Sequence, residues 1–248
     1  MILLLRKRRL GFMFTGLLFL GMSIGVFRLA IHPEMSQWKA QKLLITRVQT
    51  SDKVVALTFD DGPDPERTPV VLDKLRKYKV HATFFVMGRR AEQQAKLLQQ
   101  MVAEGHEIGN HSYSHADFRN KSRSSLKDEI QRCNQTITRI TAKKTTLFRP
   151  PGGFLSKDLV DLSHEEGMTV AYWSYQTDSK DWVNGKSAAS IAQHVIRNIK
   201  PGQIILLHDG CPNGMQTAQA VTIILEDLKK QGYRFVTMSE LMKLEKKE

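Results

Sequence analysis

The chain is poor in cysteine, and this scarcity limits the chemistry that it can carry out. Among its 248 residues only Cys133 and Cys211 are cysteines, and they lie far apart with no Cys-X-X-Cys spacing. A disulfide framework is therefore not indicated, although a single bridge between the two stays open. Thiolate metal binding is also disfavoured, which leaves histidine and carboxylate side chains as the ligands for any metal.

Several other features are absent or scarce as well. The sequence has no arginine-rich block, zinc-finger spacing or aromatic–basic repeat, so nothing in it favours a nucleic-acid partner. It contains no low-complexity segment and no internal boundary after residue 51. Acidic residues are outnumbered, with 25 Asp and Glu against 37 Lys and Arg and a formal net charge of +12. This excess fits attraction to a polyanionic cell wall or membrane, or simply a soluble basic surface.

One long hydrophobic run is present, and it lies near the N-terminus. Residues 10–27 are uncharged and almost wholly apolar, and four basic residues precede them at positions 6–9. About 18 apolar residues approach the lower limit for a spanning helix, and the preceding charges place the N-terminus in the cytoplasm. Residues 27–30 match a small-X-small cleavage site poorly. We therefore predict an uncleaved signal-anchor at 1–30, with the rest of the chain outside the cell membrane; cleavage would instead give a secreted protein.

From residue 51 onward, strand-like apolar segments alternate with amphipathic helical segments. The predicted strands are 54–59, 82–86, 106–109, 146–148, 169–173, 203–207 and 233–237. This alternation predicts an α/β fold with a parallel sheet, and about seven or eight units favour a closed, irregular barrel over an open sheet. The predicted domain covers residues 51–248, and residues 31–50 are interpreted as a stem that follows the transmembrane helix. Ligands bind at the carboxyl ends of the strands in either architecture.

Four polar clusters stand at predicted strand ends, and two of them offer metal ligands. Asp60 and Asp61 end the first strand before a Gly62-Pro63 turn; an Asx-type turn cap is the alternative role for them. His111 and His115 are four residues apart, which on a helical turn places both imidazoles on one face. With an aspartate they make three ligands and leave a position for water, as catalytic sites do. Two ordinary loop histidines are the competing interpretation.

The other two clusters offer groups that could act beside a metal. Arg149 opens a Pro-Pro-Gly-Gly turn, where it could orient a carboxylate and where the Gly152 amide could donate to an oxyanion; a purely structural turn is nearly as well supported. His208 follows a buried strand and could be a general acid if a carboxylate lies nearby, which residues 178–182 offer. In that segment Trp182 could form the wall of a small apolar pocket. The whole inventory suits hydrolysis by a metal-activated water.

Taken in order, these clusters resemble the motifs of the polysaccharide deacetylases that share the NodB homology domain, carbohydrate esterase family 4. The resemblance covers residues 51–242, and its five motifs lie at 58–63, 111–115, 149–153, 178–182 and 206–209. It implies a distorted (β/α) barrel that holds one divalent metal and removes acetyl groups from N-acetylated sugars. The implied metal is Zn²⁺, with Co²⁺, Ni²⁺ or Mn²⁺ as alternatives.

The resemblance also implies a role for ten residues within the five motifs. These are Asp61, His111 and His115 as metal ligands, Asp60 as general base, Arg149 as the group that orients it, His208 as general acid, Asp181 as the group that holds His208, Gly152 as an oxyanion-binding amide, and Trp182 and Leu206 as walls of the acetyl-methyl pocket. The chain departs from the family at Gly152, because an aromatic residue, commonly tyrosine, usually follows the two prolines. A backbone donor survives that change, but a side-chain wall is lost.

The expected function is that of a membrane-anchored, outward-facing N-deacetylase. Its expected substrate is the N-acetylglucosamine of a cell-wall or exported polysaccharide, with peptidoglycan favoured and chitin oligomers, exopolysaccharide or, more remotely, O-acetyl xylan as alternatives. A catalytically silent glycan-binding or morphogenetic protein on the same fold is a second class of function. A metal-dependent phosphoesterase or C–N hydrolase is a third, but it would usually carry enough ligands for two metals, whereas the sequence offers three ligands.

Overall fold

The structure is a computed structural model that describes residues 34–245. Its strands are β1 (Leu44–Ile45), β2 (Val54–Asp60), β3 (Thr83–Val86), β4 (Glu107–Asn110), β5 (Leu147–Phe148), β6 (Thr169–Ala171), β7 (Ile204–His208) and β8 (Arg234–Val236). Its α-helices are α1 (Met35–Ala40), α2 (Arg67–Tyr78), α3 (Gly88–Gln93), α4 (Ala95–Ala103), α5 (Arg123–Thr141), α6 (Lys157–Glu165), α7 (Ala188–Asn198), α8 (Gly214–Lys230) and α9 (Met238–Met242). The predicted alternation of strands and helices is therefore present.

The strands form one parallel sheet whose two ends approach each other. Their order is β1-β6-β5-β4-β3-β2-β7, and β8 pairs with the first half of β2. An isolated antiparallel bridge between Arg47 and Gln203 links the chain after β1 to the chain before β7. The Val48 amide also donates to the Gly202 carbonyl at 2.8 Å. The sheet thus curves into a nearly closed, irregular barrel.

Residues 34–50 differ from the stem that the sequence suggested. They form α1 and β1, and Leu44 pairs in register with Val170 of β6. Trp38, Leu44 and Val48 are buried in the core. The sequence did not indicate β1 because a two-residue strand carries too little alternation to be recognised. Within the described residues the barrel therefore begins before residue 51, and β1 adds an eighth strand to the seven segments predicted from the sequence.

The predicted membrane anchor at residues 10–27 lies outside the part of the chain that the structure describes. Within residues 34–245, no helix combines the length and the hydrophobicity needed to span a bilayer.

The central strand β2 delivers polar side chains to the barrel interior. It is buried along its whole length. Val55 packs in a core shared with the surrounding helices, whereas Val54 and Ala56 pack in a second core shared with β3, β5, β6 and β7. Because side chains alternate along a strand, Thr58 and Asp60 lie on the same inward face as Val54 and Ala56. The chain thus carries a carboxylate into the mouth of the barrel.

The neighbouring strand β7 places a histidine beside that carboxylate. Ile205 and Leu207 belong to the core under the helices, and Leu206 belongs to the inner core. Alternation then puts His208 on the same face as Leu206. His208 is also in register with Asp60 across the parallel pair of strands. Two residues that are far apart in the sequence therefore meet at one end of the sheet.

Candidate active site

Arg149 is the buried centre of the polar site. It follows β5 directly and is fully buried, with 0% of its surface exposed. Its Nη1 donates to Asp60 Oδ1 at 2.7 Å and to Thr58 Oγ1 at 2.8 Å. Carbonyl groups of Ala171 and Tyr172, at the end of β6, accept two more of its hydrogen bonds at 2.9 and 3.0 Å. Because an unpaired buried cation is costly, these partners hold the guanidinium in one position.

Asp60 is oriented by this contact and keeps a second oxygen toward the mouth. Arg149 binds Oδ1, while Oδ2 lies 3.8 Å from His111 Nε2. Asp60 is nearly buried, yet it lines the cavity described below. The structure therefore brings together Asp60 and Arg149, as the resemblance implied. It also directs Asp60 Oδ2 toward His111.

Asp61 points in a different direction from Asp60 because its backbone is left-handed, with φ 72°. Aspartate tolerates this conformation better than most residues. Its Oδ1 lies 3.3 Å from His111 Nε2 and 3.2 Å from His115 Nε2. The centroids of the two imidazole rings are 5.1 Å apart. The three residues named from the sequence as metal ligands are therefore grouped around one point.

This group fits a divalent cation. One ligand atom from each of Asp61, His111 and His115 lies within 4.8 Å of the others. Asp61 Oδ1 is buried and has no hydrogen-bond partner in residues 34–245, which an oxygen that binds a metal would explain. Burial by itself would raise the pKa of Asp61, but the two imidazoles hold it well below its ordinary value, so the carboxylate is charged. One carboxylate and two imidazoles leave coordination positions for water and substrate.

The tautomer of His111 also fits a ligand role. Its Nδ1 lies 2.7 Å from the carbonyl oxygen of Arg149. A carbonyl only accepts, so Nδ1 carries the hydrogen and the lone pair is on Nε2, which faces Asp61. Arg149, the residue after β5, therefore orients His111 with its backbone carbonyl and Asp60 with its side chain.

The loop from His111 to His115 is not helical, contrary to the geometry that the four-residue spacing suggested. Ser112 and His115 both have left-handed backbones, with φ 63° and 58°. The Asn110 side chain accepts a hydrogen bond from the Ser112 amide at 2.7 Å, and Ser112 Oγ accepts one from the His115 amide at 3.0 Å. These side-chain contacts make a compact turn that brings both imidazoles to the same point.

Helix α5 supports this turn through a buried acid that the sequence did not reveal. Glu129 accepts hydrogen bonds from the Ser114 amide at 2.8 Å and from Ser114 Oγ at 2.7 Å. The Asn110 amide group donates to the Ile130 carbonyl at 2.9 Å and to Asn134 Oδ1 at 2.7 Å. On an amphipathic helix Glu129 resembles any solvent-facing acid, so its contact with the histidine loop could be recognised only in the folded chain.

His208 is held by Asp181, the residue named for that role. His208 Nδ1 lies 2.8 Å from Asp181 Oδ1, and the His208 amide donates to Asp181 Oδ2 at 2.8 Å. Burial alone would lower the pKa of His208, but the bond to Asp181 and its charge raise that pKa to about 9. The imidazole is therefore mainly protonated at neutral pH, as a general acid must be.

Two residues of the following segment fix Asp181 and were missed in the sequence. Thr217 Oγ1 donates to Asp181 Oδ2 at 2.7 Å, and the Asn213 side chain donates to the Asp181 carbonyl at 2.8 Å. Both residues are buried. A threonine and an asparagine near a helix start are common capping residues, so their type alone gave no signal of this contact.

A cavity of about 670 Å³ at the mouth of the barrel brings together Asp60, Asp61, His111, His115 and His208. Its lining also includes Gly152, Trp173, Trp182 and Leu206. Leu206 is buried and forms an inner wall, whereas Trp182 is 50% exposed and stands at the rim. Gly152 has a left-handed backbone with φ 59°, and a Cβ added there would meet no atom within 4 Å. The space beside Gly152 is therefore open, and the buried indole of Trp173 supplies an aromatic wall that the sequence did not indicate.

Comparisons with known proteins agree with this geometry. The family model described as polysaccharide deacetylase matches residues 47–171. A peptidoglycan-N-acetylglucosamine deacetylase of Bacillus cereus is 45% identical over 196 residues, which cover 79% of this chain and 91% of that protein.

Solved structures resemble the fold as well. A crystal structure of a peptidoglycan N-acetylglucosamine deacetylase bound to 4-naphthalen-1-yl-N-oxidanyl-benzamide has a TM-score of 0.81 at 31% identity, covering 87% of this chain and 100% of that one. A family 4 acetyl xylan esterase from Clostridium thermocellum, in complex with a cobalt ion, has a TM-score of 0.71 at 40% identity, covering 77% of this chain and 91% of that one.

The chain therefore belongs to the polysaccharide deacetylase family, which confirms the resemblance that its motifs carried. It is a hydrolase of that class and has the family's α/β fold with a parallel sheet. Deacetylases of this family depend on a divalent metal, and Asp61, His111 and His115 form a possible site for one in this chain.

Proposed function

We propose that this chain removes the acetyl group from N-acetylglucosamine units of peptidoglycan. The observation that carries the proposal is the meeting, in one cavity, of a metal-binding group, an oriented carboxylate and a protonated imidazole. The choice of polymer is supported by the relative from Bacillus cereus, which is named for this substrate and is 45% identical.

Asp61, His111 and His115 would hold the metal. When bound, a divalent ion supplies a Lewis acid that makes water more acidic and polarises the acetyl carbonyl. A donor set of one carboxylate and two imidazoles suits Zn²⁺ best, and Co²⁺, Ni²⁺ and Mn²⁺ also accept nitrogen and oxygen ligands.

Asp60 acts as the general base. Arg149 occupies Oδ1 and fixes the plane of the carboxylate, so that Oδ2 faces the metal ligands and accepts the proton of the attacking water. The two adjacent aspartates have different roles because their backbone conformations differ. Asp60 ends a strand and points inward, whereas the left-handed Asp61 turns its carboxylate toward the imidazoles.

His208 acts as the general acid. An amide nitrogen is a poor leaving group unless it is protonated, so the enzyme needs a proton donor on the side of the acetyl group where nitrogen departs. Asp181 holds the Nδ1 side of the imidazolium, which leaves Nε2–H to donate that proton. The amide of Gly152 would donate to the developing oxyanion, and Leu206 and Trp182 would enclose the acetyl methyl group.

Acetate release from defined glycans tests the proposed function. We expect the purified, metal-loaded full-length chain to release acetate and create free amines on N-acetylglucosamine residues of purified peptidoglycan. A chelator should abolish the release, and added Zn²⁺ or Co²⁺ should restore it. Mass spectrometry of the digested glycan would identify which sugar carries the amine.

The same assay separates the alternatives. Release from chitin oligomers or acetylated xylan, but not from peptidoglycan, would replace the proposed polymer with one of these substrates. No release from any acetylated glycan by folded, metal-loaded protein would favour a silent glycan-binding role and overturn the proposal.

We also propose that residues 10–27 anchor the enzyme in the cell membrane with its catalytic domain outside. The uncharged apolar run and the basic residues at 6–9 support this orientation. We expect the full-length chain to remain with the membrane fraction after alkaline extraction and to be digested by protease added to intact, wall-free cells. Recovery in the soluble fraction at unchanged mass would contradict the anchor, and recovery in the medium at reduced mass would show cleavage.

A further inference from the structure

An arginine at the rim of the catalytic cavity has no role in the chemistry described so far. Arg89 lies at the start of α3, directly after β3, and it lines the same cavity as Asp60, His115 and His208. Its side chain is exposed. Its backbone is nevertheless fixed, because the Arg89 amide donates to the Tyr113 carbonyl at 2.9 Å within the histidine loop. The guanidinium therefore extends from a rigid point close to the metal ligands.

The Arg89 guanidinium is available for a ligand, unlike those of Arg90, which also lines the cavity, and Arg149, which is buried beneath it. In residues 34–245 it makes no side-chain hydrogen bond or ion pair. Arg149 is saturated by Asp60 and its other partners, and the neighbouring Arg90 donates to the Asp61 and Gly210 carbonyls at 3.0 and 2.8 Å. A guanidinium can donate single hydrogen bonds to the hydroxyl groups of a neutral sugar, but it forms stronger, two-pronged, charge-assisted hydrogen bonds with a carboxylate.

The sheet order places Arg89 across the mouth from Trp173. Strands β4 and β5 separate β3 from β6. Trp173 follows β6, whereas Arg89 follows β3, and both residues line the cavity. A glycan that lies against Trp173 and presents its acetyl group to the metal ligands after β2 and β4 therefore extends toward Arg89 on the far side.

We propose that Arg89 binds a carboxylate carried by the glycan substrate and thereby selects muramyl-containing glycan over neutral N-acetylglucosamine oligomers. This inference rests on the proposed function and names the recognition element of the same site. In peptidoglycan the carboxylate is either the lactyl group of a muramyl residue from which the peptide has been removed or a carboxylate of the attached peptide. Arg89 is thus a specificity-determining residue and takes no part in the proton transfers.

The test compares Arg89→Gln with the wild-type chain on matched substrates. These are a neutral N-acetylglucosamine oligomer, a peptide-free glycan with alternating muramyl residues, the methyl ester of that glycan, and a peptide-bearing glycan. We expect Arg89→Gln to raise KM about fivefold on a glycan whose carboxylate Arg89 binds, with kcat little changed. On the neutral oligomer and on the ester, KM should change less than about twofold. Added salt should shrink the difference, because exposed charges are screened.

Control variants separate charge recognition from general effects. Arg197→Gln removes one exposed positive charge on α7, outside the cavity, and should leave every KM unchanged. Arg89→Lys should recover part of the affinity, since it keeps the charge but loses the planar fork. Unchanged melting temperature and metal content establish that Arg89→Gln is folded.

The outcomes assign the source of the carboxylate or overturn the inference. A KM effect on the peptide-free glycan assigns it to the lactyl group, and an effect on the peptide-bearing glycan alone assigns it to the peptide. Equal KM values for Arg89→Gln and wild type on both charged glycans would overturn the role of Arg89, even though both proteins release acetate. Absence of acetate release from all four substrates would instead overturn the proposed function.

Discussion

Asp60→Asn should lower kcat by about 10³-fold or more while the protein keeps its metal. The substitution removes the group proposed to take the proton from water but preserves its shape. Asparagine Oδ1 can still accept a hydrogen bond from Arg149, so the buried guanidinium is not left without a partner. We expect a loss of about 1–3 kcal/mol in the free energy of unfolding, because the hydrogen bond to the cation loses its charged acceptor. Steady-state acetate release, metal analysis and denaturant unfolding measure the three quantities.

Asp61→Asn is the matched comparison, because it makes the same chemical change at the adjacent position. Asp61 faces His111 and His115 rather than Arg149, so this variant should lose metal affinity as well as activity. The assigned roles would be contradicted if Asp60→Asn, loaded with metal, kept a kcat within about tenfold of wild type. They would equally be contradicted if the two variants lost metal to the same extent.

Asp181→Asn should move the alkaline limb of the pH–rate profile to lower pH. The pKa of His208 is raised from 6.5 to about 9, against the opposing effect of burial, by its hydrogen bond to Asp181 and by the charge of that residue. The protonated imidazole is the active form, so wild-type activity should fall as pH rises through about 9. With asparagine the charge of Asp181 is lost while burial and the charges of Asp60 and Asp61 remain, and the limb should move toward 6.5. At pH 8 we expect about 30-fold lower kcat/KM.

Asp178→Asn is the control, because Asp178 also lines the cavity but its carboxylate accepts from the Lys180 amide rather than from His208. It should leave the alkaline limb unchanged. The imidazole titration followed by NMR gives an independent readout of the His208 pKa in both variants. An alkaline limb that stays in place in Asp181→Asn would show that His208 is not the titrating acid.

The ion pair between His208 and Asp181 also makes a pH-dependent contribution to the free energy of unfolding. Because the pKa of His208 is higher in the folded chain than in the unfolded chain, its contribution is fully present below about pH 6.5 and is lost as the pH rises through about 9. The difference in free energy of unfolding between wild type and Asp181→Asn should therefore narrow over this range.

The candidate site was largely accessible from the sequence, because its residues lie in short polar clusters that follow apolar strands. Asp60 and His208 could be placed from strand alternation and parallel order alone. The residues that hold the histidine loop and Asp181 in place could not be identified in this way. Glu129 and Thr217 lie on helices distant in sequence from the loops that they hold, and neither residue type has a signature that distinguishes a buried contact from a solvated one.

Local conformation was also beyond the sequence at two positions. The spacing of His111 and His115 suggested a helical turn, yet the loop uses left-handed residues and side-chain hydrogen bonds to bring the imidazoles together. Residues 34–50 resembled a stem because their few apolar residues show no helix or strand periodicity. The structure shows that three of them, Trp38, Leu44 and Val48, are buried in the barrel core. The predictions for the histidine loop and for residues 34–50 differ from the structure for the same reason. In both segments the local sequence favoured neither conformation clearly, and contacts with distant parts of the chain decided which one forms.

The family, the parallel α/β fold and the identity of the chemical groups could be read from the amino acids, because apolar periodicity and the type of polar residue at each strand end are local properties. The folded chain was needed to show that Asp61, His111 and His115 share one point, that Arg149 is bound to Asp60, and that Asp181 raises the pKa of His208. These facts depend on distances between segments far apart in the chain and on burial, and folding alone sets both.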